Sequence, residues 1–196
     1  MYPLILASTS PYRRTLLERF GLPFETARPE VGEEHVAGES PADRAMRLAV
    51  AKAQAVAARR PDAVVIGSDQ VAAAGVARAH KVLDKPGDAA TCRAQLAALS
   101  GTDARFYTAC AVIGPAGGVR LVHLDTTTVF FRSLAAGEIE RYVEREKPFD
   151  CAGGFKAEAL GITLFESIES KDPTALIGLP LIWLACALRR AGYPLP

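Results

Sequence analysis

Four polar side chains crowd the stretch LILASTSPYRR, residues 4 to 14: Ser8, Ser10, Arg13 and Arg14 follow directly on the apolar run Leu4-Ile5-Leu6-Ala7. A helix that begins after such a strand offers unpaired backbone N–H groups and the positive end of its dipole. Hydroxyl donors and guanidinium forks added at the same point favour a phosphate chain. The plainer reading of these residues is a Ser10-Pro11 helix cap followed by two solvated arginines. Residue types alone leave both readings open.

A second candidate lies in VIGSDQV, where a continuous apolar run ends in Gly67-Ser68-Asp69. Ligands of α/β proteins bind beyond the carboxyl ends of central strands, so a carboxylate there can hold a divalent cation or orient a water. Glu30, Glu33 and Glu34 in the loop PEVGEEH supply further carboxylates, although an exposed acidic run is usually a solvated surface. Lys85 precedes a proline in LDKPGD, which keeps it in extended chain, where it can steady a phosphate. His35, His80 and His123 match no metal-ligand spacing and receive no catalytic role. The chain has no GxSxG elbow, no Walker A loop and no GxGxxG. Oxygen ligands suit Mg²⁺ or Mn²⁺ and the basic residues suit phosphates, which together point to metal-assisted phosphoryl or nucleotidyl chemistry.

These residues must be positioned by a folded chain, and 49% apolar with 23% charged residues over 196 positions is the composition of one. We read a single domain, residues 1–196. A net charge of +1 lacks the basic excess of a general nucleic-acid binder. Cys92, Cys110, Cys151 and Cys186 form no CxxC pair, so we expect reduced, mostly buried thiols and a cytoplasmic protein. No basic leader precedes the first apolar stretch, and the run at 175–188 is short for a bilayer and broken by Pro180. Neither secretion nor a membrane anchor is expected.

The elements read as mixed α/β. YPLILA is a strand; Ser10 caps a helix with Pro11 at its first position and Gly21 past its end. LPFETARPE reads as a second strand. Ser40-Pro41 opens a long helix with Met46, Ala49, Ala53 and Val56 on one face and Lys52 off it. AVVIGSD is a central strand with Asp69 at its C-terminal end. Asp88 caps a helix to Leu99, and ARFYTACAVIG pairs with VRLVHLDTTTVFF across PAGG in a second lobe. A helix near 135–146, the loop CAGGFKAEALG, a strand ITLFESI and a buried helix around Pro180 complete the chain. The strand order is not readable from the sequence.

Taken in order, ASTSPYRRTLLE, PEVGEE, AVAKAQAVA, IGSDQVA, DKPGD, SGTDARFYT and CAGGFKAEALG resemble the Maf family of nucleotide pyrophosphatases across nearly the whole chain. The resemblance implies a two-lobed, Ham1-like (ITPase-like) α/β fold, with a twisted mixed central sheet flanked by helices and the nucleotide in a cleft. It also implies cleavage of a nucleoside triphosphate between its α and β phosphates with a divalent cation, Mg²⁺ or Mn²⁺, by a homodimer. Carried over by motif, Ser8, Ser10 and Arg13 hold phosphate, and Glu33 and Lys52 line the cleft; Arg14, read from its place beside Arg13, and Lys52 are counted with the phosphate-binding residues. Asp69 is the metal-associated general base, with Glu33 as the second metal carboxylate. Lys85 neutralises charge developing on the phosphates, with Lys81 as a stand-in because VAAAGVARAHKVLDKP is somewhat long.

The triplet Ser68-Asp69-Gln70 resembles the branch of that family acting on 7-methyl-GTP; the branch acting on dTTP and UTP carries ADT there. Methylation at N7 gives guanine a positive charge. Glu158 then offers a carboxylate for N1–H and the 2-amino group, and Tyr12 a face for the cationic ring. Tyr12, Gln70 and Glu158 are thus the expected specificity residues. Two alternatives remain: a dTTP/UTP pyrophosphatase, and a non-catalytic nucleotide- or RNA-binding regulator of cell division. No stable nucleic-acid partner is expected for the enzyme.

Overall fold

The computed structural model describes residues 1–75, 81–115 and 118–196. His80, part of the stretch before Lys85 and the centre of the PAGG connection lie outside the described residues. Among the described residues, five helices, α1 (Pro11–Glu18), α2 (Pro41–Ala57), α3 (Ala89–Leu99), α4 (Ala136–Glu146) and α5 (Leu181–Arg190), accompany one mixed sheet. Its strands are β1 (Leu4–Ala7), β2 (Glu25–Thr26), β3 (Val64–Ala74), β4 (Val82–Leu83), β5 (Asp103–Ile113), β6 (Arg120–Phe131) and β7 (Phe165–Glu169). The order is β2-β1-β3-β5-β6-β7, with β4 also on β3. β1 runs parallel to β2 and β3, while β3 with β4 and β6 with β7 are antiparallel. This is the mixed α/β architecture expected from the sequence. Among the described residues, no helix is long and apolar enough to cross a membrane.

Compactness divides the chain into two units. The first comprises Met1–Gln70, Tyr107–Asp125 and Asp172–Pro196. Here strand alternation sends apolar side chains to both faces of the sheet. Leu4, Leu6, Val64, Ile66, Cys110 and Val112 face Leu16 and Leu17 of α1 and Leu184 and Leu188 of α5. Ile5, Ala7, Val65 and Ala111 face Ala53 and Val56 of α2. The second unit, Val71–Phe106 and Thr126–Lys171, contains α3, α4 and a knot of Phe106, Phe131, Phe155 and Phe165, with ring centroids 4.9 to 5.5 Å apart. The tip of the β5–β6 pair, Tyr107–Asp125, thus groups with the first unit, and not with a second lobe as the sequence implied.

Local chemistry explains the helix starts. Ser10 caps α1 by accepting from Arg13 N, Ser40 caps α2 from Asp43 N, and Asp88 caps α3 from Thr91 N. α5 instead follows Pro180, which offers no side-chain cap, and draws on distant groups: Ile182 N donates to Asp172 Oδ2 and Leu181 N to Thr174 Oγ1. Several sequence expectations change. The stretch after Gly21 gives only the two-residue β2, and ITLFESI is a 3-10 turn over Leu160–Leu164 followed by β7. The run around Pro180 is a short turn, Ala175–Ile177, and then α5, whose Ile182 is 62% exposed. None of the four cysteines is in a disulfide: Cys92 and Cys110 are buried, Cys151 is half-buried and Cys186 exposed.

Candidate active site

β1 ends at Ala7, which pairs with Gly67, but β3 continues to Ala74. Asp69 therefore sits in the middle of a strand, two residues beyond the point where its parallel neighbour stops, and not at the strand end expected from the sequence. Small, apolar residues after it (Val71-Ala72-Ala73-Ala74) keep the strand extended and buried. The functional edge is that of β1; Asp69 projects past it.

Alternation sends Gly67 and Asp69 to the α2 face and Ser68 and Gln70 to the α1/α5 face. Gly67 is needed for contact with α2: a Cβ there would stand 2.6 Å from Ala53 N and 2.8 Å from Ala53 Cβ, and would also meet the Ala49 carbonyl. The buried stripe of α2 is Ala45, Leu48, Ala49, Lys52, Ala53 and Val56. Lys52 thus lies on the buried face, correcting the sequence reading, and Met46 is only half-buried. Alanine on every side of this helix blurs its apolar stripe, so the face was not legible from periodicity.

Lys52 Nζ lies 2.7 Å from Asp69 Oδ1 and 2.6 Å from Glu33 Oε1. The Lys52 and Asp69 side chains are only 8% and 10% exposed, whereas Glu33 is mostly exposed. Glu33 reaches this point because α2 grips its loop. Arg44 Nη2 donates to Glu33 O, Arg47 Nη2 donates to Glu34 O, and Arg47 pairs with Glu39 through two hydrogen bonds. Arg44 Nη1 also lies 2.6 Å from His35 Nε2. Glu30 is elsewhere, paired with Arg59 at the surface.

From the other side comes Arg13, whose Nε donates to Gly178 O at 3.1 Å. Burial pushes its guanidinium below the ordinary value, opposed by the negative fields of Asp69 and Glu33. Arginine remains a cation here. Ser8 is buried, and its Oγ accepts from Ser10 N at 3.1 Å; Ser10 Oγ caps Arg13 N. Both hydroxyls keep a proton to donate. Arg14 is different: it pairs with Glu18 one turn along, both side chains more than half exposed, so it takes the solvated-arginine reading. Tyr12 is half-buried beside these residues on α1.

Gln70 turns its amide nitrogen inward. Its Nε2 donates to Thr108 Oγ1 at 2.9 Å and to the carbonyls of Ala175 and Leu176 at 3.0 Å each, which commits both of its protons. Ser68 Oγ likewise donates to Gly178 O at 2.9 Å. Thr108 and Gly178 were missed by sequence reasoning; the one signal was a threonine opening the otherwise apolar TACAVI.

Lys85 and Glu158 belong to the second unit and are both exposed there, as is Lys81. The Glu158 stretch is pinned on either side: Lys156 N donates to Tyr142 Oη and Leu160 N to Glu146 Oε2. Lys156 Nζ is 3.6 Å from Glu146, both side chains largely buried.

Among the described residues, no three His, Cys, Asp or Glu side chains form a ready metal cage. Asp69 and Glu33 instead bring two carboxylates to one point. Mg²⁺ is bound in that way when phosphate oxygens and water complete its shell, so this donor set fits such an ion.

A family model described as Maf-like protein matches residues 3–191, and the chain belongs to the Maf family. It is 56% identical over 194 residues to a 7-methyl-GTP pyrophosphatase of Xanthomonas oryzae pv. oryzae, covering 98% of each chain. A protein of the same name from Aromatoleum aromaticum is 54% identical over 193 residues, covering 98% of this chain and 97% of that one. Among solved structures, the Staphylococcus aureus Ham1 protein aligns with 66% of this chain and 71% of its own, at 17% identity and a TM-score of 0.45.

Proposed function

We propose that this protein hydrolyses 7-methyl-GTP to 7-methyl-GMP and diphosphate. The observation that carries the reading is the convergence of Asp69, Lys52, Glu33 and Arg13 past the end of β1. Membership of the Maf family and relatives named 7-methyl-GTP pyrophosphatase support the reaction and its substrate.

Water attacks the α-phosphorus. An O–P bond forms, the bond from phosphorus to the α–β bridging oxygen breaks, and diphosphate leaves with the electron pair. Lys52 fixes Asp69 through Oδ1, and Oδ2 is the atom we assign to receive the water's proton. Arg13, anchored by its Nε, addresses the phosphates with its Nη edge, while Ser8 and Ser10 donate hydroxyl hydrogen bonds. Lys85 balances charge on the departing diphosphate. Asp69 and Glu33 would hold a divalent cation, which polarises phosphoryl oxygens and makes water a stronger nucleophile. Glu158 accepts from N1–H and the 2-amino group of the cationic base, and Tyr12 offers it an aromatic face.

The setting is the cytoplasm, where cysteines stay reduced, and the acting form is a homodimer on a free nucleotide. The deciding experiment is pyrophosphate release with Mg²⁺ or Mn²⁺ on 7-methyl-GTP, GTP, dTTP and UTP. Preference for 7-methyl-GTP with pyrophosphate as first product is expected. Preference for dTTP or UTP overturns the substrate, orthophosphate as first product overturns the reaction, and no turnover favours a nucleotide-binding regulator.

A further inference from the structure

Ser68, Gln70 and Thr108 form a polar cluster on the sheet face away from Asp69, and the chemistry just derived makes no use of it. Thr108 is fully buried; its hydroxyl accepts from Gln70 Nε2 and donates to Ala175 O, both at 2.9 Å. Burying a hydroxyl and an amide costs stability unless each is satisfied, and apolar side chains could fill the same space. What the cluster achieves is to bind one turn, residues 175–178, to two strands. Gln70 takes the carbonyls of Ala175 and Leu176, Thr108 takes Ala175, and Ser68 takes Gly178.

That turn is in direct contact with Arg13. Gly178 O accepts from both Ser68 Oγ and Arg13 Nε. Gly178 has φ 129, a conformation that favours glycine, and a Cβ there would stand 3.3 Å from Arg13 Nε and 3.4 Å from its Cγ. The turn therefore defines where the guanidinium can lie. A guanidinium held through Nε points its Nη edge in one direction, which a bidentate phosphate contact requires.

We propose that Thr108 and Gln70 are positioning residues: they fix the 175–178 turn, and Gly178 O in turn fixes the direction in which Arg13 meets the phosphate chain. The proposal rests on the reading of Arg13 as phosphate-binding. Under it, Gln70 acts on phosphate geometry and not on base choice. Strand alternation then divides Ser68-Asp69-Gln70 between two tasks, the central residue for chemistry and its neighbours for holding Arg13.

The test is calorimetric binding of inorganic tripolyphosphate, alongside kcat and KM on 7-methyl-GTP and GTP. Thr108→Val is expected to weaken tripolyphosphate about 3- to 10-fold, the range for a lost hydrogen bond. Thr108→Ser, which keeps the hydroxyl, should restore it. In an Arg13→Gln background, Thr108→Val should add nothing, and the 7-methyl-GTP to GTP ratio should not move. If the valine variant does not fold, Gln70→Leu carries the same comparison. Unchanged affinity in a folded variant, an equal loss with and without Arg13, or a shifted base ratio overturns the positioning role alone. If Arg13→Gln itself leaves tripolyphosphate bound as before, the phosphate role of Arg13 fails and this proposal falls with it.

Discussion

Lys52 Nζ stands 2.7 Å from Asp69 Oδ1 and joins the buried face of α2 to the middle of β3. The pair is nearly closed to solvent on both sides, and its second carboxylate, Glu33, closes it from the loop. Removing one partner of a buried pair strands the other charge, which typically costs about 3–5 kcal/mol. The two partners are not equivalent, however. Lys52 keeps Glu33 if Asp69 is neutralised, whereas Asp69 has no second cation within hydrogen-bond reach among the described residues.

Asp69→Asn should therefore fold, since the amide oxygen still accepts from Lys52, and lose at least ~100-fold in kcat, as removal of a general base does. Thermal melting and pyrophosphate release measured on one preparation check both halves. Retained turnover in the folded variant removes Asp69 from the role of base.

Lys52→Met should instead lose stability, by about 3–5 kcal/mol, because the Asp69 carboxylate is left buried without its ammonium. Denaturant unfolding of the two variants side by side is the measurement. A smaller loss for Lys52→Met than for Asp69→Asn would mean that the ion pair does not hold α2 to the sheet.

Gly67→Ala tests the same junction without touching a charge. The added Cβ meets backbone of α2 at Ala49 and Ala53, and backbone cannot rotate aside. Overpacking of this kind costs about 1–3 kcal/mol, so Tm should fall by about 2 to 12 °C in a chain of this size. Activity should fall further than stability, because α2 carries Lys52. An unshifted Tm would place the helix farther from β3 than described.

Acid should act on the loop that carries Glu33. The side-chain hydrogen bonds from Arg47 hold the Glu39 carboxyl below its ordinary 4.5, and Arg47 is raised by the same contact. With a depressed folded value, the unfolded loop binds the extra proton. The stabilisation is full above about pH 4.5 and is lost as pH falls through the folded value. Hydrogen-exchange protection of residues 33–39 in wild type and Glu39→Gln should differ by a constant factor above pH 5, and the difference should vanish in stronger acid. A difference that disappears near neutrality would assign the anchoring to another group.

Much of this was legible in the sequence for local reasons. Ser10-Pro11, Ser40-Pro41 and Asp88 are caps whose chemistry acts within one turn, and all three helices start there. Asp69 was visible because the apolar run before it is continuous. What failed depended on distant partners. Nothing near Lys52 shows that Asp69 and Glu33, 17 and 19 positions away in sequence, will draw it into the core. Arg13 and Arg14 look alike as neighbours; only the Gly178 carbonyl and Glu18 separate the anchored one from the solvated one. Gln70 stands out in the sequence only through the family triplet; its partners in the 175–178 turn lie 105 and 106 positions away.

Glu158 is the remaining specificity candidate, and its surroundings suit that role. The residue itself is exposed, while its flanks are fixed by Tyr142 and Glu146, so a carboxylate is presented on a short, anchored segment. A carboxylate accepting two N–H donors from a cationic purine is a charge-assisted contact, worth about 1.5–3 kcal/mol against the neutral amide. Glu158→Gln should therefore cut kcat/KM for 7-methyl-GTP by about 10- to 100-fold, with a smaller loss for GTP, whose ring carries no positive charge. Because Glu158 is assigned to the base and not to the phosphates, tripolyphosphate affinity should not change. Equal losses on both nucleotides would mean that Glu158 supports the loop and that the methylated base is recognised elsewhere.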